Sequence, residues 1–205
     1  MSGSAFAVTH YAFSSGAGRT SDGNGSHAST LKSPSYTKSV SWQHYLLGEC
    51  KRHDHPDLET VVRICLATGA RWSEAESLKK SQLAKYKITY TNTKGKKNRT
   101  VPISKELYES LPDDKKGRLL SDCYSAFRSA LERTGIELPA GQLTHVLRHT
   151  FASHFMMNGG NILVLQRVLG HTDIKMTMRY AHFAPDHLED AVRLNPLNKI
   201  SAVME

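Results

Sequence analysis

One stretch of this chain reads as sheet while the rest reads as helix, and that contrast limits the fold more than any other feature. Ser77 to Lys105 holds nine Lys/Arg and no Asp or Glu. Within it, residues 86–93 are rich in β-formers, Lys94-Gly-Lys-Lys-Asn98 is a basic turn, and Arg99-Thr-Val-Pro-Ile103 is a second β-run. The segment therefore predicts a β-hairpin with a basic, Gly-containing turn. No repeat accompanies it, so the expected class is mainly α with a small antiparallel β-sheet (α+β).

The helices are marked by stripes and stops. Leu58, Val61, Val62, Cys65 and Leu66 form a helical stripe over 57–68, opened by Pro56 and closed by Gly69. A second helix is expected from Ser73 to Leu78. Ser104 can cap a short helix ending before Pro112. Ser121 can cap another, with Tyr124, Phe127 and Leu131 on one face and Gly135 as its stop. Further helices are expected from Leu143 to Met157, broken by Asn158-Gly159-Gly160, and from Ile162 to Leu169. Residues 1–40 differ: nineteen of the forty are Gly, Ser or Thr, with no apolar periodicity. They read as a flexible leader, native or appended. The globular part is expected over 41–196, with 197–205 as a C-terminal tail.

The bulk numbers exclude several classes. No run of eighteen apolar residues exists, so no transmembrane span is expected, and no secretory signal is visible. Three separated cysteines make neither a disulfide framework nor a metal knuckle, which fits a reducing cytoplasm. The net charge of +8 favours a polyanionic partner. A basic run like 77–105 either lies on phosphates or is simply solvated.

Two boxes carry chemistry. His145 and Arg148 stand three apart, so on a helix their imidazole and guanidinium share a face. A guanidinium fork suits non-bridging phosphate oxygens in a way an ammonium does not. Alone, the pair is better explained as two surface residues, since basic residues are mostly exposed. Downstream, Leu169-Gly170-His171 is followed nine residues later by Tyr180, with Thr172 or Asp173 as the cap of a short helix presenting it. A phenol with a pKa of about 10 needs positive charge or a base nearby to act as a nucleophile. Otherwise Tyr180 is a packing residue.

In order and spacing these boxes resemble the catalytic domain of the tyrosine recombinases, the phage integrase family. Thr68-Gly-Ala-Arg71-Trp-Ser-Glu74 resembles the first arginine box, and Lys94, registered on Arg99-Thr-Val-Pro-Ile, the β-hairpin lysine. His145-Val-Leu-Arg148-His149 resembles the second arginine box. Leu169-Gly-His171 and Tyr180-Ala-His182 complete the set, which covers about Pro56 to Phe183 and is most similar to integrases of temperate bacteriophages, although bacterial chromosome-dimer resolving enzymes share every box.

The resemblance implies a site-specific recombinase needing neither metal, ATP nor any other cofactor. Tyr180 would attack the scissile phosphodiester and leave a 3′-phosphotyrosyl bond. Arg71 and Arg148 would clamp the phosphate. Lys94 would protonate the departing 5′-oxygen, His145 would assist proton transfer at the tyrosine, and His171 would hydrogen-bond the phosphate. Glu74 would orient Arg71 or His145, and Lys96, Lys97 and Arg99 would contact DNA. Lys96 and Lys97 are equally explained as solvated turn residues. His149 is read as structural with a partly buried ring, and His182 is left unassigned.

The implied partners are double-stranded DNA at a core recombination site and further copies of the chain, as a tetramer on DNA. Accessory DNA-bending proteins are a further expectation, and no membrane is involved. The setting is the bacterial host cytoplasm, with nucleoid association. The family's upstream helical domain is not recognisable in residues 1–40, so the chain reads as an isolated catalytic domain with weak DNA binding of its own. Leu188, Ala191 and Val192 form a short apolar stripe that either packs on a neighbouring protomer or folds back in cis. Three rivals remain open: a type IB topoisomerase, a catalytically inactive DNA-binding regulator, and a metallohydrolase suggested by eleven histidines that lack ligand spacing.

Overall fold

The structure, a computed structural model, describes residues 41–91, 98–113, 115–136, 138, 141–186 and 188–194. The expectations for residues 1–40, for Lys94, Lys96 and Lys97, and for the 197–205 tail fall outside these residues.

Helix α1 (Ser41–Arg52) was not signalled by any cap, yet Trp42, Leu46 and Cys50 recur every fourth position and are all buried. Helix α2 (Leu58–Thr68) follows the expected stripe: Leu58, Val61, Val62, Ile64, Cys65 and Thr68 are all inside. It stops at Gly69, which takes a left-handed conformation (φ 64°) and donates its N–H to the Cys65 carbonyl. After one further residue, Arg71 opens the short helix α3 (Trp72–Glu76).

The sheet is antiparallel and has three strands rather than the expected two: β1 (Leu83–Ala84), β2 (Lys87–Tyr90) and β3 (Arg99–Pro102), in that spatial order. Ile88 pairs with Val101 and Tyr90 with Arg99, and these four side chains face the core or its edge. On the outer face, the Thr89 and Thr100 hydroxyls meet at 2.9 Å. The sequence carries no signal for the extra strand, which is two residues long and turns into β2 through Lys85 and Tyr86, the latter at φ 59°.

Helix α4 (Lys105–Glu109) is capped by Ser104 as expected, its hydroxyl accepting the Leu107 N–H at 3.1 Å. Helix α5 (Tyr124–Arg133) is not capped by Ser121. Ser121 instead donates both its backbone N–H and its hydroxyl to the Asp57 carboxylate, tying the α5 approach to the start of α2. Helix α6 (His145–Met157) packs along α2 and carries Val146 and Leu147 into the main core. Helix α7 (Ile162–Leu169) is capped by the Asn161 side chain and ends at Gly170 (φ 68°). Helix α8 (Lys175–Met178) and a 3-10 turn at Ala181–Phe183 flank Tyr180. Helix α9 (Asp190–Arg193) ends the described chain, with Leu188, Val192 and Leu194 exposed.

The apolar interior falls into two clusters. The large one joins α1, α2, α3, the sheet, α5 and the start of α6. The smaller one gathers Ala152, Met156, Leu165, Leu169 and Tyr180, flanked by Phe151, Phe155, Ile162 and Phe183. Gly69 sits where they meet: a Cβ there would lie 2.5 Å from Phe151 Cδ1 and 2.8 Å from Leu169 Cδ2. Gly69→Ala therefore combines left-handed strain with overpacking and is expected to cost about 3 kcal/mol. Urea denaturation measures it, and a loss below about 1 kcal/mol would contradict the packing argument.

Candidate active site

Three helix ends converge. The C-termini of α2 and α7 bring their last carbonyls together, and Arg148 from α6 reaches between them. Its Nη1 donates to the Gly69 carbonyl at 2.6 Å and its Nη2 to the Leu169 carbonyl at 2.7 Å. A guanidinium placed on two helix C-terminal carbonyls is electrostatically favoured and geometrically fixed. Arg148 is only 7% exposed. Burial, followed by the neighbouring charges of Arg71 and Arg99, lowers its pKa to about 10. It stays cationic at neutral pH, in surroundings that favour an arriving anion.

Glu74 joins two further guanidinia. Its Oε2 accepts the Arg71 backbone N–H at 2.9 Å, which caps α3, and its Oε1 accepts Arg71 Nη1 at 3.0 Å. Arg99 binds the same carboxylate as a fork, Nη1 to Oε1 at 3.0 Å and Nη2 to Oε2 at 2.6 Å. Burial pushes the Glu74 pKa up, but these bonds and charges outweigh it and hold the carboxyl at about 2. The expected orienting partner of Glu74 is thus Arg71, with Arg99 as a second.

The expectation for Arg99 as a DNA contact does not fit its position. Arg99 is 7% exposed, its Nε donates to the Val168 carbonyl at 2.9 Å, and its guanidinium carbon lies 4.6 Å from the centre of the Tyr90 ring. Its Cδ would lie 3.0 Å from a Cβ on Gly170. The residue braces β3 against α3 and the end of α7, and its donors point inward.

Beyond Gly170, the His171 ring is held by Nδ1 against the Thr177 hydroxyl at 2.8 Å. Burial, then Arg148, Arg71, Arg179 and Arg99, lower its pKa to about 4, so it is neutral at physiological pH. His145 opens α6 and is exposed. Tyr180 is 3% exposed, and its hydroxyl meets Nδ1 of His149 at 2.5 Å. Burial raises the phenol pKa against the pull of Arg148 and Arg179. The structure thus brings Arg71, Glu74, Arg148, His171 and Tyr180 into one neighbourhood, and adds His149, read from sequence as structural. The i to i+4 step from His145 was a signal for His149: it places both imidazoles on one face of α6. Among the described residues, no three His, Cys, Asp or Glu side chains are grouped to hold a metal ion. Nor is any helix among them long and apolar enough to cross a membrane.

The two depressed histidines make stability pH-dependent. His149 and His171 both bind a proton at about pH 4 in the fold, against about 6.5 when unfolded. Between those values the unfolded chain takes up protons that the folded chain refuses, so stability is complete above pH 6.5 and falls as the pH drops towards 4. Glu74 acts lower, its contribution being lost below about 4.5 as the pH falls towards 2. Thermal melts from pH 7 to 3 should show the midpoint already falling by pH 5; a midpoint constant down to pH 4 would contradict the histidine burial.

Comparison with known proteins bears on the family and the fold. The profile of the Phage integrase family matches residues 44–187. The integrase of Escherichia phage 186 is 94% identical over 156 residues, covering 76% of this chain and 46% of that relative. The tyrosine recombinase XerD of Rhizobium meliloti is 33% identical over 157 residues, covering 66% of this chain and 50% of the relative. Among solved structures, the catalytic domain of bacteriophage HP1 integrase superposes with a TM-score of 0.74 at 68% identity, covering 76% of this chain and 92% of that one. The fold is that of a tyrosine recombinase catalytic domain. The chain belongs to the phage integrase family, and it spans about half the length of the curated relatives it matches.

Proposed function

We propose that this chain is the DNA-breaking and rejoining unit of a site-specific recombinase, with Tyr180 as nucleophile. The observation that carries the reading is the guanidinium pair: Arg148 fixed on two helix C-termini and Arg71 fixed on Glu74, with His171 and Tyr180 alongside. Such a clamp stabilises charge building on phosphate oxygens in the transition state. Tyr180 forms a bond to phosphorus and the 5′-oxygen leaves, giving a 3′-phosphotyrosyl link that conserves the phosphodiester energy for religation. Lys94 supplies the proton to the leaving oxygen. His145, exposed at the start of α6, assists proton transfer at the tyrosine, and Lys96 and Lys97 contact the backbone.

The partner is duplex DNA, in keeping with the net charge of +8. Strand exchange between two sites calls for a tetramer on DNA. The exposed Leu188, Val192 and Leu194 suit a tail that packs on a neighbouring copy. The work is done in the host cytoplasm.

The test uses a duplex site selected by this chain from randomised DNA, nicked so that the 5′-hydroxyl fragment diffuses away. A covalent adduct is expected, with peptide mapping placing the phosphate on Tyr180. An adduct on another residue, or DNA binding with no adduct at any pH, would overturn the reading.

A further inference from the structure

His171 is held from two directions. Its backbone belongs to the end of α7: its N–H donates to the Gln166 carbonyl at 3.1 Å, and its carbonyl accepts the Gln166 side-chain amide at 3.3 Å. Its ring is held by the segment that carries Tyr180. Nδ1 lies 2.8 Å from the Thr177 hydroxyl, and Thr177 is fully buried. The same residue fixes the approach to the tyrosine, because its carbonyl accepts the Tyr180 N–H at 2.9 Å.

Backbone geometry sets the direction of the Thr177 bond. Two helical Thr hydroxyls elsewhere in the chain donate to the carbonyl four residues back: Thr68 to Ile64 and Thr150 to Val146, each at 2.7 Å. Helix α8 is a single turn, and among the described residues the Thr177 hydroxyl has no partner besides His171. A buried hydroxyl proton needs an acceptor, and Nδ1 is the one within reach. An imidazole that accepts at Nδ1 carries its proton at Nε2. Burial, then Arg148, Arg71, Arg179 and Arg99, keep the ring neutral. Its one donor is then Nε2–H, which meets no hydrogen-bond partner among the described residues.

We propose that Thr177 is a positioning residue: its hydroxyl holds His171 as the Nε2–H tautomer, with that N–H free for a phosphate oxygen, only while the Tyr180 segment is docked. This rests on the reading of the site as a phosphodiester-breaking centre. The opposite tautomer would turn the Nε2 lone pair towards an anion, which is repulsive. Donor and nucleophile therefore come into place together. If residues 174–180 move off, the Thr177 hydroxyl leaves with Tyr180. The His171 ring is then free to turn and to exchange tautomers, and the guanidinium pair stands without its neutral donor. One hydrogen bond thus ties the donor state of His171 to a docked tyrosine.

The test compares Thr177→Val and Thr177→Ser with the parent chain, by nitrogen NMR of histidine-labelled protein and by adduct formation on the nicked duplex described above. The His171 signals are assigned with His171→Asn. In the parent an unprotonated Nδ1 and a protonated Nε2 are expected. Thr177→Val should show the averaged shifts of two tautomers, and Thr177→Ser the parental pattern. Losing an oxyanion donor outright costs about 10²-fold or more, and a loosened ring keeps part of that, so Thr177→Val should slow adduct formation about tenfold. Thr177→Ser keeps the hydroxyl and should stay within about threefold of the parent. An Nδ1–H tautomer in the parent would overturn the proposal. So would a parental spectrum or a parental rate in Thr177→Val, or equal slowing in both variants, which marks lost packing rather than a lost bond. If Thr177→Val does not fold, the parental tautomer and the serine variant decide. A parent chain that forms no adduct is a failure of the proposed function instead, and the nitrogen spectra then decide on Thr177 alone.

Discussion

Tyr180→Phe is expected to abolish the covalent adduct while leaving the protein folded. The ring accounts for most of what Tyr180 contributes to the smaller apolar cluster, where it packs with Ala152, Met156, Leu165 and Leu169. Phenylalanine keeps that ring. What is lost is one hydrogen bond, to His149 at 2.5 Å. Such a loss costs about 1 kcal/mol. Without the oxygen no bond to phosphorus forms, so adduct on the nicked duplex should fall below detection. Tyr180→Ala would be a poor substitute: removing a ring that is 3% exposed leaves a cavity worth about 3–5 kcal/mol, so inactivity could reflect unfolding. The informative measurement pairs adduct yield with a thermal melt. Tyr180→Phe with a near-parental midpoint and no adduct supports the nucleophile; residual adduct at even a tenth of the parental yield would point to another residue.

The elements legible in the sequence are those whose signals are local. The stripe from Leu58 to Leu66, the Gly69 stop and the Ser104 cap each sit within a turn of what they specify. The boxes around Arg71, Arg148, His171 and Tyr180 were legible because their order along the chain is itself a pattern. What escaped depends on partners far away in sequence. Ser121 looked like a helix cap, but its partner is Asp57, sixty-four residues upstream. His149 reads as structural with a partly buried ring, but the bond that holds it is to Tyr180, thirty-one residues on. Arg99 is the instructive miss. Charge suggested the surface, whereas strand alternation pointed inward: Val101 on β3 is buried, so Arg99, two residues before it, shares that face. The period-two rule outranks side-chain charge when a buried carboxylate waits on the facing element.

The buried fork of Arg99 on Glu74 gives the second large effect. Arg99→Met is expected to destabilise the chain by about 3 kcal/mol or more, because it strands one member of a buried ion pair. Glu74 would lose two hydrogen bonds, at 3.0 and 2.6 Å, and the Val168 carbonyl a third at 2.9 Å. The Glu74 side chain is only 12% exposed, so water restores little. The consequence for chemistry runs through Arg71, which shares that carboxylate. A guanidinium displaced by about 1 Å costs on the order of 10²-fold in rate. Arg99→Lys should fare little better, since an ammonium cannot fork across both carboxylate oxygens and reach the α7 carbonyl. The double variant Arg99→Met/Glu74→Gln separates the two effects. Neutralising the stranded carboxylate should recover much of the stability, whereas Arg71 stays without its anchor and cleavage stays slow. A phosphate contact would behave differently: stability unchanged, binding weakened evenly across sequences, and the salt dependence of affinity reduced by about one ion. Urea denaturation and DNA titrations at several salt concentrations distinguish the two, and the second pattern would return Arg99 to the DNA surface.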